Sequence, residues 1–274
     1  MEFVDYQDRF SWARLERDEG GILLCTLNTD GDTLTINSFW KTVHREIGDF
    51  FYALASDRET RAIILTGTGD NFIEPPPAFT REQAEENHFH SSESWDVISR
   101  EANALIMRHL EIPVPMIGVL NGPAPYHAEL AVMCDVVLAA DDSYVSDAVH
   151  FLVGNVPGDG VHVIWNALLG PNRARYFLIT GEKIYADEAR RLGVVHEVMP
   201  ASELLERAYE HARMLTQTIS PSVLRSTRML LTQPLRQAAV ANLDFGLALE
   251  GLGAWARKAS QKTEPGPDYH RTVE

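Results

Sequence analysis

Residues 116–140, MIGVLNGPAPYHAELAVMCDVVLAA, hold the reading that decides the fold. The first five form an apolar run closed by the turn pair Asn121 and Gly122, and 136–139 form a second such run. Short runs rich in Val, Ile and Leu and bounded by turn residues read as strands. Between them a proline-stiffened turn leads into a short helix, with His127 and Glu129 at its start.

Working outward, 22–27 and 62–65 are strands of the same kind. The stretch between them, SFWKTVHREIGDFFYALASD (38–57), spaces Phe39, Val43, Ile47, Phe50, Phe51 and Leu54 as one helix face. Ser38 is placed to cap that helix, and Phe39, Phe50, Phe51 and Tyr52 read as core. A second helix is expected over 94–110, ended by Pro113 and Pro115. Strands alternating with helices give the α/β class. After Gly170 the chain reads as successive helices with little strand between them. Ser220 and Pro221 start the last one, which runs to about 259 with Leu224, Met229, Leu230, Leu235 and Ala239 among arginines. The tail TEPGPDYHRTVE has no apolar period and reads as an extended or disordered arm. The expected division is a core over 1–200 and a helical region over 201–274.

Charge narrows the function. The chain has 274 residues, 24 Lys+Arg against 39 Asp+Glu, and a net charge of −15. With no basic cluster it is a poor ligand for nucleic acid or an anionic membrane surface. Cys25 and Cys134 each sit in an apolar run, the pattern of buried free thiols in a reducing compartment. The polar N-terminus resembles neither a signal nor a transit peptide, and no apolar stretch approaches the ~18 residues of a membrane span. The expected location is cytoplasmic.

Three segments carry chemistry. TGTGDNF (66–72) is a glycine turn after a strand, which can offer backbone N–H groups to an anion. It is not a dinucleotide fingerprint, and the chain has no phosphate-binding GK[ST] loop and no GxSxG nucleophile elbow. In the second segment, His127 at a helix start should stay neutral, able to donate to an oxyanion or carry a proton. The third, SDAVHFLVGNVPGDGVHVIW (146–165), holds His150, Asp159 and His162. Nine residues let the chain fold back and set the Asp159 carboxylate against the His150 ring, which makes the histidine a base; Asp147 competes for that role. His88 and His90 have the spacing of a metal pair but lie in a polar loop without a third ligand, so no metal and no cofactor is expected.

Taken together, these segments resemble the crotonase (enoyl-CoA hydratase/isomerase) superfamily over almost the whole chain. The matching text is IILTGTGDNF, VPMIGVLNG, AELAVMCDVVLAA, GNVPGDG and LGPNRARYFLITGEKIYADEARRLGVVHEVMP. The resemblance implies a spiral of ββα units with a C-terminal helical region used for trimerisation, as a trimer or a dimer of trimers. It also implies two backbone N–H groups that bind a thioester oxygen. Here Phe72 is followed by Ile73-Glu74-Pro75-Pro76-Pro77, which puts Pro76, without an N–H, at the first donor position. The glycine triplet of the second donor is replaced by Pro-Ala-Pro-Tyr-His-Ala. Losing one such donor costs roughly 10²–10³ in rate.

These departures resemble the branch of β-diketone hydrolases that includes 6-oxocamphor hydrolase. That branch implies a histidine-bearing turn, matched by His127, a histidine matched by His150, and an aspartate in PGDG, matched by Asp159. Its pocket tryptophan falls near Ile36, and Glu250 resembles a glutamate near the pocket. The expected activity is hydrolytic cleavage of a carbon–carbon bond in a non-thioester β-diketone, giving a keto acid. His150, Asp159, His127 and Glu129 would be catalytic, with Ile36, Tyr126 and Glu250 binding substrate. The competing readings are an enoyl-CoA hydratase or isomerase acting on a CoA thioester, and a catalytically inert scaffold of the same fold.

Overall fold

A computed structural model describes residues 1–35, 39–75 and 91–261. Ile36, Ser38, Pro76, Pro77, His88 and His90, and the tail from 262 onward, lie outside the described residues.

The strands among the described residues are β1 (Ala13–Arg17), β2 (Ile22–Leu27), β3 (Ala62–Thr66), β4 (Met116–Leu120), β5 (Val136–Ala140), β6 (Tyr144–Val145), β7 (Ile184–Tyr185) and β8 (Glu197–Met199). The helices are α1 (His44–Ser56), entered through a π-helical turn at Phe39–Val43, α2 (Ser92–Glu111), α3 (Glu129–Val132), α4 (Val161–Thr180), α5 (Ala186–Arg191), α6 (Ala201–Thr218) and α7 (Pro221–Gln261). One sheet runs in the order β1-β2-β3-β4-β5-β8; β1 is antiparallel to β2 and every other pair is parallel. β6 and β7 form a separate antiparallel pair. The four apolar runs all become strands of the main sheet, and the α/β class holds.

Successive side chains of a strand point to opposite faces, so an apolar run without alternation feeds two cores. Leu23, Cys25, Leu27, Ile63, Leu65 and Met116 join the larger one, with Ile47, Phe50 and Phe51 of α1 and Ala102, Leu105 and Ile106 of α2. Ile22, Leu24, Ala62, Ile64, Ile117, Val119, Leu138 and Ala140 face the other way, against Leu204, Ala208 and Ala212 of α6. Those three recur every four residues and share one helix face. Helix α6, which follows the expected boundary at 200, therefore covers one face of the sheet.

One local expectation needs correction. Tyr52 is half exposed, with the Arg108 guanidinium 5.3 Å from its ring centroid. Phe50 and Phe51 fill the buried face of α1, and the next residue is rotated about 100° away from it. On α7, Leu224 and Ala239 are buried, while Met229 and Leu230 are exposed. No helix among the described residues is long and apolar enough to cross a membrane.

Candidate active site

The loop after β4 turns His127 inward by an unusual backbone conformation, φ +47°. Behind it Gly118 is required, because a β-carbon there would stand 2.3 Å from the Ala131 carbonyl oxygen of α3. The chain after β5 then runs beside this loop. Ala124 N–H donates to the Tyr144 carbonyl, Ser146 N–H to the Ala124 carbonyl and Ala148 N–H to the Pro125 carbonyl. A turn over Ala148 and Val149 brings Asp147 and His150 together, and the PGDG turn delivers Asp159 just before α4. Helix α7 adds Glu250 from the far end of the sequence.

These groups converge. His150 Nδ1 donates to Asp147 Oδ1 at 2.5 Å, while Nε2 on the other side of the ring lies 3.4 Å from Asp159 Oδ2 and 3.9 Å from Glu250 Oε1. Asn155 Nδ2 donates to Glu250 Oε1 at 2.8 Å. The expected Asp159–His150 contact is present, but on the opposite nitrogen from the one an orienting carboxylate occupies; Asp147, three residues away across a tight turn, takes that place. His127, Glu129, Asp147, His150 and Glu250 are all buried.

Burial and charge set distinct protonation states. Burial opposes charge on His150, yet the Asp147 and Asp159 carboxylates outweigh it and hold the ring well above its usual pKa. His127 goes the other way: burial pulls it down to about 3, against the pull of Asp159 and with help from His44 and His150. It is neutral, as expected, through burial and neighbouring histidines. Glu129 and Glu250 are each pushed up to about 8 by burial and then by Asp159. Burial raises Asp159 too, but His150, His127 and His44 overcome it and keep the carboxyl well below its usual value.

Tyr126 is fully buried, edge-on to His127 with ring centroids 5.6 Å apart, and its hydroxyl has no hydrogen-bond partner among the described residues. His44 of α1 was not legible in the sequence. Its Nδ1 pairs with Glu101 Oε2 of α2 at 2.9 Å, and it lines a small cavity of about 10 Å³ with His127, Glu129, Asp159 and the apolar Ala102, Leu105 and Ile106. It hid within the helical stripe of 38–57, and only its neighbour across the α1–α2 contact reveals it. His162 bonds through Nε2 to the Asn242 carbonyl of α7 at 3.3 Å.

In the loop after β3, the three amides before Pro75 are already engaged. Phe72 and Ile73 N–H donate to the Pro123 carbonyl at 3.0 and 3.4 Å, and Glu74 N–H to the Leu34 carbonyl at 2.8 Å. His150, Asp159 and Glu250 each offer one ligand atom within 4.8 Å of the others, the one group among the described residues able to hold a metal ion. The direct His150–Asp159 contact already accounts for that convergence.

Residues 17–251 match the family described as enoyl-CoA hydratase/isomerase. A β-diketone hydrolase from the cyanobacterium Anabaena sp. PCC 7120, solved bound to (S)-3-oxocyclohexyl acetic acid, is 37% identical, with a TM-score of 0.85 over 93% of this chain and 98% of that one. The short-chain-enoyl-CoA hydratase of Clostridium acetobutylicum is 28% identical over 236 residues, covering 85% of this chain and 84% of that protein. The fatty acid oxidation complex subunit alpha of Idiomarina loihiensis is 26% identical over 72% of this chain, which spans only 27% of that longer protein. The match to 235 of 274 residues and the architecture agree: the chain belongs to the enoyl-CoA hydratase/isomerase, or crotonase, family.

Proposed function

We propose that the protein is a hydrolase that cleaves a carbon–carbon bond of a non-thioester β-diketone by a retro-Claisen reaction. The observation that carries this reading is the pairing of a neutral buried histidine, His127, with a second buried histidine, His150, whose Nε2 faces Asp159 and Glu250. His150 in its neutral form takes a proton from water, and the oxygen bonds to one ketone carbon. Collapse of the tetrahedral adduct breaks the bond to the central carbon, whose electron pair is held as the enolate of the second ketone. His127 donates a hydrogen bond to the developing oxyanion, the task that backbone N–H pairs perform in thioester enzymes. The proton on His150 then returns to the enolate, so water is consumed and a keto acid leaves. Glu129, protonated near neutrality, supports His127, while Tyr126 and Glu250 border the substrate; Ile36, the third residue expected there, lies outside the described residues.

The β-diketone hydrolase likeness at 37% identity supports this reading, as do the engaged amides of Phe72, Ile73 and Glu74. The names of the enoyl-CoA hydratase relatives favour the second reading, turnover of a CoA thioester. The test is incubation of the purified protein with a bicyclic β-diketone and, separately, with crotonyl-CoA. Loss of the diketone with release of a keto acid, and no thioester hydration, is expected. Hydration of crotonyl-CoA without diketone cleavage would overturn the proposal in favour of the second reading.

The exposed apolar side chains along α7 support a homotrimer or a dimer of trimers. Two buried free thiols, Cys25 and Cys134, fit a cytoplasmic protein.

A further inference from the structure

We propose that Asp147 is the positioning residue of this site: it fixes the tautomer and ring orientation of His150, leaving Nε2 to act on water with Asp159 and Glu250 on the working side. The inference rests on the hydrolytic reading above and divides its carboxylates into two roles.

The geometry separates the two sides of the ring. The Asp147 contact at 2.5 Å is a tight, charge-assisted hydrogen bond, whereas the Asp159 contact at 3.4 Å is loose. A ring that donates from Nδ1 carries its lone pair on Nε2 when neutral. Two carboxyl groups facing that lone pair cannot both be satisfied by it. The three ligand atoms of His150, Asp159 and Glu250 lie within 4.8 Å of one another. A water about 2.8 Å from each can sit above their triangle, donating to Nε2 and to a carboxylate. Asp159 and Glu250 thus hold the reactant, while Asp147 holds the base.

Asp147 has the character of a residue kept for one bond. Its side chain is 3% exposed, and its Oδ2 has no hydrogen-bond partner among the described residues. An acidic group buried with one oxygen unsatisfied costs stability, and an apolar residue would pack there without that cost. Its bond to His150 is what the arrangement gains. The backbone sets this bond in register with the rest of the site, because Ala148 N–H donates to the Pro125 carbonyl at 2.9 Å, two residues before His127.

The groups that act on His150 are Asp147, Asp159, Glu250, His127 and Glu129, so the experiment compares Asp147→Asn with Asp159→Asn. Asp147→Asn is expected to lower kcat by about 10³–10⁴-fold with KM within about threefold, as when a base histidine is left in the wrong tautomer. It should also move the His150 limb of the pH–rate profile to lower pH. Nitrogen-15 spectra of the ring, taken above its titration, should show the Nδ1–H tautomer in the native chain and in Asp159→Asn, and its loss in Asp147→Asn. An unchanged kcat and pH limb in Asp147→Asn would overturn the proposal, as would an Nε2–H tautomer in the native chain. If Asp147→Asn does not fold, the native and Asp159→Asn spectra decide alone. If no β-diketone is cleaved, the hydrolytic reading fails in its own assay, and the ring tautomer still decides the role of Asp147.

Discussion

Gly158 and Gly246 meet backbone to backbone: a β-carbon on Gly158 would stand 2.2 Å from the Gly246 carbonyl oxygen, and one on Gly246 would stand 2.4 Å from the Gly158 carbonyl oxygen. Gly158 immediately precedes Asp159, and Gly246 lies one helical turn before Glu250. Their contact sets the separation of the two carboxyl groups from His150, and no larger residue permits it.

Gly246→Ala should therefore damage both fold and site. The added carbon would also press on His162 Cε1, at 2.2 Å. Overpacking of this kind costs about 1–3 kcal/mol, to be read as a lowered Tm, and kcat should fall at least roughly tenfold as Glu250 is pushed away. Native values of both Tm and kcat would mean that α7 can withdraw without moving the site.

The pH–rate profile follows from the charge on His150. Its pKa is raised by the Asp147 and Asp159 carboxylates, so the ring keeps its proton, and is unable to act as a base, to higher pH than an ordinary histidine. kcat/KM should rise with pH along a limb whose midpoint lies above 6.5, and His150→Ala should abolish turnover without unfolding the chain. A limb centred below 6.5, or substantial activity in His150→Ala, removes His150 from the base role.

Stability should run the other way. Glu250 is raised from 4.5 to about 8, so between those values the folded state holds a proton that the unfolded state has released. Folding is then progressively disfavoured as pH rises through that window, and Glu129 acts in the same direction. His150 adds to the trend above pH 6.5, because its raised pKa is stabilising below that value and the benefit is lost as the folded pKa is passed. Tm should decline from pH 6.5 to pH 8; below 6.5 the lowered pKa of His127 acts in the opposite sense, because the unfolded histidine takes up a proton that the folded one refuses. Glu250→Gln, which is neutral throughout and can still accept from Asn155, should decline less; an equal decline in both proteins would contradict the assigned protonation.

His127 separates oxyanion binding from proton transfer. His127→Ala should lower kcat by about 10²–10³-fold, the usual loss on removing one oxyanion donor. His127→Gln offers a donor that does not titrate, and should recover part of that loss without altering the pH limb assigned to His150. Failure of Gln to recover any activity would point to proton transfer as the role of His127.

Much of this was legible in the sequence, for physical reasons that also mark its limit. Ile22, Leu24 and Ile64 pack on one face of the sheet and Leu23, Cys25 and Ile63 on the other, and demand for apolar groups on both faces left unbroken runs that read as strands. His127 and His150 stood out as titratable groups inside such runs and turns. Which carboxylate met which nitrogen did not, because Asp147 at three residues and Asp159 at nine both reach the ring, and only the Ala148–Val149 turn assigns them. His44 had no local signal: its place is set by Glu101, 57 residues away on another helix.

Leu230, Leu231, Val240, Phe245 and Leu252 of α7 are each between 67% and 72% exposed, an apolar stripe that a soluble monomer rarely presents to water. Burial of that stripe by a second copy would remove it from solvent, at a gain of roughly 25 cal/mol for each Å² covered. Light scattering should give three or six times the chain mass of 30.7 kDa. Leu231→Asp combined with Leu252→Asp should shift the mass toward that of one chain while the circular dichroism spectrum stays native, because both side chains face away from the core. A native protein that runs as a single chain would show that the stripe is covered otherwise and that the trimer is wrong.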